Sequence, residues 1–342
     1  MLSLPLHYKT QQTLSLSLTT TTTTIYDNDD DTSISLYLSN SVSAMAPEPT
    51  IDDPKRVCVM DASGRLGAAL VERLLNKGYA VHAAVKTHDE LQVFDQMPKK
   101  NLRVFRSDPF DYQSIVEALK GCSALLYSFE PVEQEQDSFD QELMAEVEVR
   151  AAHNVLEACA QTETIEKVVF TSSVTAVIWR EDRQSTAEFQ ERNWSDVNFC
   201  RDYKLWHALS KALAEKTAWA LAMDRGLHMV SINAGLLVGP DLTVQNPYLK
   251  GAAEMYENGV FVTVDLKFLV DAHVCALEST SSYGRYLCFS HVINRPEDAV
   301  KFAKTLSPSK VVSLPTSWEV GKVCQERISN KKLNKLMIDF KS

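Results

Sequence analysis

The sequence has no CxxC pair, and its seven cysteines (Cys58, Cys122, Cys159, Cys200, Cys275, Cys288 and Cys324) are odd in number and widely spaced. That argues against a disulfide framework and a cysteine-based zinc site, and it fits a reducing compartment, expected to be the cytoplasm. No apolar run approaches the ~20 residues that span a bilayer, so the chain is expected to be soluble. With a formal net charge of −10, its long-range field repels nucleic acid and anionic membrane alike. An anionic ligand must therefore find a local cationic site. No internal repeat is visible, and no metal site is expected.

Residues 1–50 also lack the spaced apolar positions that would bury a helix face. They are rich in Ser and Thr, with an unbroken run from Thr19 to Thr24, and read as a disordered extension. A transit peptide is the alternative. Lys9 is the single Lys or Arg before Lys55, however, and Asp27, Asp29, Asp30 and Asp31 are the wrong charge for one. Met45-Ala46-Pro47 offers a second start.

From Lys55 onward, short apolar β-rich runs alternate with stretches of helical spacing, the pattern of βαβ units and a mostly parallel sheet. The expected strands are 56–60, 80–86, 102–106, 124–129, 167–172 and 228–233. Helices are expected over 66–77 with Gly78 behind it, over 112–119 closed by Gly121, and over 142–160. Together they make an α/β Rossmann-type doubly wound sheet over residues 51–239. A smaller substrate lobe follows over 240–342, which returns a strand to the sheet near 285–290. The stretch 327–341 reads as a basic amphipathic helix, solvated at the terminus.

The first strand runs into Met60-Asp61-Ala62-Ser63-Gly64-Arg65-Leu66-Gly67. Gly64 and Gly67 have the spacing that lets a pyrophosphate approach backbone N–H groups at a helix N-terminus, with Asp61, Ser63, Arg65 and Leu66 completing the cradle. At the end of the second strand, where such folds meet the adenosine ribose, stands Lys86. A cation there suits a 2′-phosphate and favours NADP(H) over NAD(H); a solvated surface lysine is the plain alternative. Asp108, past the third strand, is placed to meet the adenine edge.

Carbonyl reduction needs a hydroxyl to polarise the carbonyl, a proton donor, and a lysine to hold the nicotinamide ribose. Thr171-Ser172-Ser173 ends the fifth strand, and His207 and Lys211 lie four apart, on one face of a helix. These residues resemble the extended short-chain dehydrogenase/reductases, and within them the plant cinnamoyl-CoA reductase and dihydroflavonol reductase group. Further landmarks are Lys77-Gly78-Tyr79, Asn154-Val155-Leu156-Glu157-Ala158-Cys159, Val168-Val169-Phe170-Thr171-Ser172-Ser173, Trp194-Ser195-Asp196 and Asn233-Ala234-Gly235-Leu236-Leu237-Val238-Gly239-Pro240.

The resemblance implies an NADP(H)-dependent reductase acting on a small phenylpropanoid-type substrate, a carbonyl or an acyl-CoA. Ser173 would position the carbonyl and Lys211 the ribose, with Ser128, Asn233 and Ala234 lining the nicotinamide side. The departures are specific. His207 stands where that group has tyrosine, Asp61 where it has glycine, Ala234 where it has proline, and Ser128-Phe129-Glu130 where it has small residues. A histidine titrates near ~6.5, and a nearby Lys211 cation would favour its neutral form, a poor acid at neutral pH; if His207 does act as the acid, activity would rise on acidification. Asp61 would weaken cofactor binding by repelling phosphate, unless it turns outward in an Asx-type turn. The competing function is a catalytically impaired NADP-binding protein with a regulatory or scaffolding role in phenylpropanoid or defence metabolism. An epimerase or dehydratase would also want the tyrosine. His273 reads as a structural hydrogen-bonding residue, and Tyr203 as a remote alternative phenol.

Overall fold

Alternation along each strand sorts the side chains into two cores. Val57 and Val59 of the first strand pack on one face, whereas Cys58 and Met60 pack on the other. Both faces are covered by helices, so the strands are apolar throughout. The computed structural model describes residues 54–97, 99–129, 141–306 and 323–341. The expectations for residues 1–50 and for Glu130 fall outside these.

The strands are β1 (Arg56–Met60), β2 (Ala80–Val85), β3 (Leu102–Arg106), β4 (Ala124–Tyr127), β5 (Lys167–Ser173), β6 (Met229–Ala234), β7 (Leu236–Leu237), β8 (Val262–Val264), β9 (Gly284–Cys288) and β10 (His291–Val292). The helices are α1 (Arg65–Asn76), α2 (Tyr112–Leu119), α3 (Gln141–Ala160), α4 (Thr175–Ile178), α5 (Val197–Asp202), α6 (Trp206–Arg225), α7 (Ala252–Glu257), α8 (Leu266–Glu278), α9 (Pro296–Leu306) and α10 (Lys331–Lys341). Each expected strand is present, β1 and β3 with the expected bounds and the others with an end moved by one or two residues. β2 stops at Val85, one short of Lys86, and β4 at Tyr127.

The main sheet is parallel, in the order β3-β2-β1-β4-β5-β6-β9, and a small second sheet runs β10-β8-β7. The order reverses between β1 and β4. Ligands of doubly wound sheets bind outside the carboxyl ends of the strands at this switch point. In register, Met60 lies beside Tyr127 and Ser173 beside Ala234, so Asp61, Ser128 and Ser173 share that edge.

α1 buries Leu66, Leu70, Val71 and Leu74 and ends at Gly78, whose φ of 87° a side chain would strain. The N–H of Tyr79 bonds Leu74 O and that of Gly78 bonds Leu75 O, which closes the helix in a Schellman turn and starts β2. The C-terminal helix departs from expectation. It begins at Lys331, because the residues before it are extended and Ile328 bridges to Phe189. It is also not simply solvated: Leu333, Leu336 and Met337 are buried in the core that contains α8 and Tyr286.

All seven cysteines are thiols outside any disulfide, six of them buried. Among the described residues, no helix is long and apolar enough to cross a membrane.

Candidate functional site

The turn after β1 is held by close main-chain contact. A Cβ on Gly67 would lie 2.2 Å from Asp61 O and 2.7 Å from Ala62 Cα, so only glycine lets α1 start this near the strand end. Gly64 precedes the helix without a side-chain cap, which leaves the first N–H groups of α1 directed at the crevice. Arg65 crosses that crevice: its Nη2 donates to Val238 O at 2.7 Å, and its guanidinium lies against Gly239.

Asp61 is neither outward-facing nor relaxed. Its φ is 63°, in the left-handed region, and its carboxylate lies 3.4 Å from the Lys86 ammonium. That corrects two expectations. Asp61 does not turn away into solvent, because a largely buried partner holds it. Lys86 is not a solvated surface lysine, since its ammonium sits on Asp61 and 5.0 Å over the Phe129 ring.

An anion already occupies the corner between this turn and the end of β2. Glu90 Oε2 accepts from Ser63 Oγ at 2.8 Å and from the Lys86 N–H at 2.9 Å, and the Thr87 N–H and hydroxyl also bond this carboxylate. Burial pushes the Glu90 pKa up, but these hydrogen bonds outweigh it and the net shift is downward. Asp108 is exposed, and its carboxylate accepts from the Phe110 N–H at 2.9 Å.

At the carboxyl end of β5 a chain of hydroxyls leads to the imidazole. Ser173 Oγ accepts from the Thr175 N–H at 3.2 Å and from Thr175 Oγ1 at 3.0 Å; Thr175 Oγ1 is in turn 3.1 Å from His207 Nδ1. With Thr175 donating to Ser173, His207 carries its proton on Nδ1, and the Ser173 hydrogen is left to donate elsewhere. Burial, and next the Lys211 charge, push the His207 pKa down to about 3. The ring is therefore neutral at any ordinary assay pH, the direction expected of the Lys211 cation, with burial the larger cause. Beside it is a cavity of about 10 Å³, lined in part by Trp179, Tyr248 and Lys250. That is room for about one water.

Lys211 lies one helical turn on. Its Nζ donates to Glu148 Oε1 at 2.8 Å and to Phe129 O at 3.0 Å, and Ser210 Oγ donates to the other Glu148 oxygen. Glu148 is 3% exposed, so the pair is effectively internal. Asp61, Lys86, Phe129, Lys211 and Glu148 thus form one continuous path along the sheet edge. Ser128 is buried there, with its hydroxyl 3.4 Å from Met60 O.

Asn233 is a further correction. It is fully buried, and its amide donates to Glu215 Oε2 at 2.7 Å and to Ser173 O at 3.3 Å. Period-2 alternation turns its side chain, with that of Ser231, toward α6, where it holds the Ser173 backbone from within the fold. Glu215 is the hub, also accepting from Ser172, Ser231 and both Nε and Nη2 of Arg285. Ala234 packs at the opposite face of β6. His273 has the structural place expected of it. Its Nδ1–H donates to Leu269 O at 2.8 Å and its Nε2 meets Thr171 Oγ1 at 2.8 Å. Tyr203 is 63% exposed and precedes the start of α6, so it does not share the His207 face.

Sequence reasoning missed Glu90, Glu148 and Thr175. Glu148 had a readable signal, an acid on the otherwise apolar stripe Ala145, Ala152, Val155 of α3. Glu90 and Thr175 had none, since an acid four residues past a strand and a threonine two past a serine are common.

Residues 58–278 match the 3-beta hydroxysteroid dehydrogenase/isomerase family. The chain is 35% identical over 297 residues to cinnamoyl-CoA reductase 1 of Petunia hybrida, covering 83% of this chain and 87% of that protein. Among solved structures it resembles vestitone reductase from alfalfa, with a TM-score of 0.64 and 24% identity over 82% of this chain and 91% of that one. It also resembles Gre2 from Candida albicans in complex with NADPH, with a TM-score of 0.62 and 20% identity over 83% and 93%. The two structures, below 25% identity, speak for the fold.

Proposed function

Because this chain belongs to the 3-beta hydroxysteroid dehydrogenase/isomerase family, we propose that it is an NADP(H)-dependent reductase of the cinnamoyl-CoA reductase type, acting on a phenylpropanoid-type carbonyl or acyl-CoA. The observation that carries this is the meeting of Ser173, Thr175, His207 and Lys211 on the carboxyl edge of the sheet, beside the Gly64–Gly67 turn.

The residues present fit the dinucleotide. Gly67 lets α1 begin against β1, and the donors of Ser63, Lys86 and Thr87 already converge on an oxyanion. When bound, NADPH supplies the hydride. Ser173 polarises the carbonyl, because its own hydrogen is not used by Thr175. The proton that neutralises the developing alkoxide leaves Ser173 Oγ. Thr175 Oγ1 restores it, and His207 Nδ1–H restores Thr175, while the far ring nitrogen takes a proton from bulk solvent by way of the cavity beside it, so that the imidazole ends neutral. A relay through a neutral imidazole is a weaker acid than a phenol held beside a cation, and turnover is accordingly slow. Lys211 holds the nicotinamide ribose only by sharing its ammonium with Glu148.

A second reading is favoured by that same Glu148 pair and by the neutral His207: a protein that binds cofactor with little turnover. NADPH titration followed by turnover on hydroxycinnamoyl-CoA thioesters and aldehydes, for wild type and His207→Tyr, separates the two. Activity in both proteins supports the reductase, and tight binding with activity only in the variant supports the second reading. Absence of NADPH binding in both overturns both.

A further inference from the structure

The corner that would receive the adenosine 2′-phosphate is built, and it is filled from within. In doubly wound sheets the end of β2 and the turn after β1 face the adenosine ribose. Here that corner presents four donors, namely the Ser63 hydroxyl, the Lys86 N–H, and the N–H and hydroxyl of Thr87, and all four are spent on one carboxylate. Donors without competing acceptors, closing around an anionic oxygen, are what a phosphate dianion requires. Glu90 is only partly buried and lies in the short 3-10 turn Asp89–Phe94, whose neighbours Asp89 and Gln92 are exposed. Rotation of its side chain carries the carboxylate into solvent without rebuilding the main chain.

We infer that the Glu90 carboxylate occupies the 2′-phosphate subsite and is displaced when NADP(H) binds, so that Glu90 sets how strongly the site prefers a 2′-phosphate over a 2′-hydroxyl. The inference rests on the dinucleotide reading above. The carboxylate keeps the donors gathered in the free protein, and it lowers affinity for the phosphorylated ribose because each bond the phosphate gains is one that Glu90 gives up. A nucleotide lacking the 2′-phosphate does not compete for these donors and is far less affected. The Lys86 ammonium, on the residue whose N–H lines the corner, is held by Asp61 in the free protein and adds long-range attraction for the dianion.

The test is calorimetric titration of the full chain, as wild type, Glu90→Gln and Glu90→Ala, with 2′,5′-ADP and with 5′-AMP, at fixed pH and ionic strength. Melting curves confirm that each variant is folded. The glutamine variant, nearly isosteric, preserves the fold if alanine does not. We expect 2′,5′-ADP to bind about tenfold more tightly to the alanine variant, with glutamine intermediate, and 5′-AMP to change by less than about twofold. Unchanged or weaker 2′,5′-ADP binding in both variants overturns the role of Glu90 while leaving the cofactor reading intact. So does a loss of 5′-AMP affinity, which would mean that Glu90 holds the ribose hydroxyls. If wild type and variants bind neither probe nor NADPH, the dinucleotide reading falls, and this inference with it.

Discussion

A histidine at the proton-donor position invites the expectation that the reaction speeds up in mild acid, and the structure predicts that it does not. With its pKa pushed down to about 3 by burial and then by Lys211, His207 is protonated in about one molecule in a hundred at pH 5 and about one in three thousand at pH 6.5, against half for an ordinary histidine near 6.5. kcat/KM for carbonyl reduction should therefore show no inflection between pH 5.5 and 7 attributable to this ring. NMR of the imidazole carbons, assigned by loss of a signal in His207→Gln, should report a neutral ring down to pH 5. An inflection in that window that disappears in His207→Gln, or a ring shift titrating with it, refutes the reasoning. Lys211→Met should raise the ring's pKa, by less than burial lowers it. The linkage to stability has a definite sign. The folded pKa lies below the unfolded one, so the unfolded chain takes up the proton first, and stability present above pH 6.5 is lost as pH falls toward 3. His273 behaves alike. It is fully buried, with a pKa lowered to about 4 mainly by burial, and loses about 3 kcal/mol between pH 6.5 and 4.

Two further outcomes test the turn. Gly67→Ala places its Cβ 2.2 Å from a main-chain oxygen that cannot swing aside, so chemical denaturation should show a loss of at least about 3 kcal/mol; an unchanged midpoint would mean that α1 does not sit this close to β1. Asp61→Gly removes a left-handed non-glycine residue at φ 63°, worth about 1 kcal/mol, and lifts a carboxylate from the phosphate crevice. Stability should hold or rise, and NADPH should bind about fivefold or more tightly. Weaker binding in fluorescence titration would show that the Asp61–Lys86 pair organises the site.

How much of the site was legible depended on where its partners come from. Ser173 was legible because a polar ending to an apolar strand places it at the edge of the sheet. The His207–Lys211 spacing placed both on one helix face, and both do lie at that edge. Asn233 was misread. Its motif neighbours lie at the edge, but strand alternation sends its side chain into the Glu215 hub, whose other members come from β5, β6, β9 and α6. The basic terminal helix was misread for a related reason. Its charged face was evident, but Leu333, Leu336 and Met337 become core only once α8 and β9 are beside them.

The sequence by itself determined the parallel α/β sheet, the glycine turn and the position of each strand of the main sheet, because these follow from local periodicity and from backbone conformations that glycine alone relieves. Tertiary structure decided the electrostatics: that Lys86 answers Asp61, that Glu148 holds Lys211, that Glu90 fills the anion corner and that His207 stays neutral. Each of these depends on a charge and its neighbour drawn from separate segments, and on the burial that only the packed chain supplies.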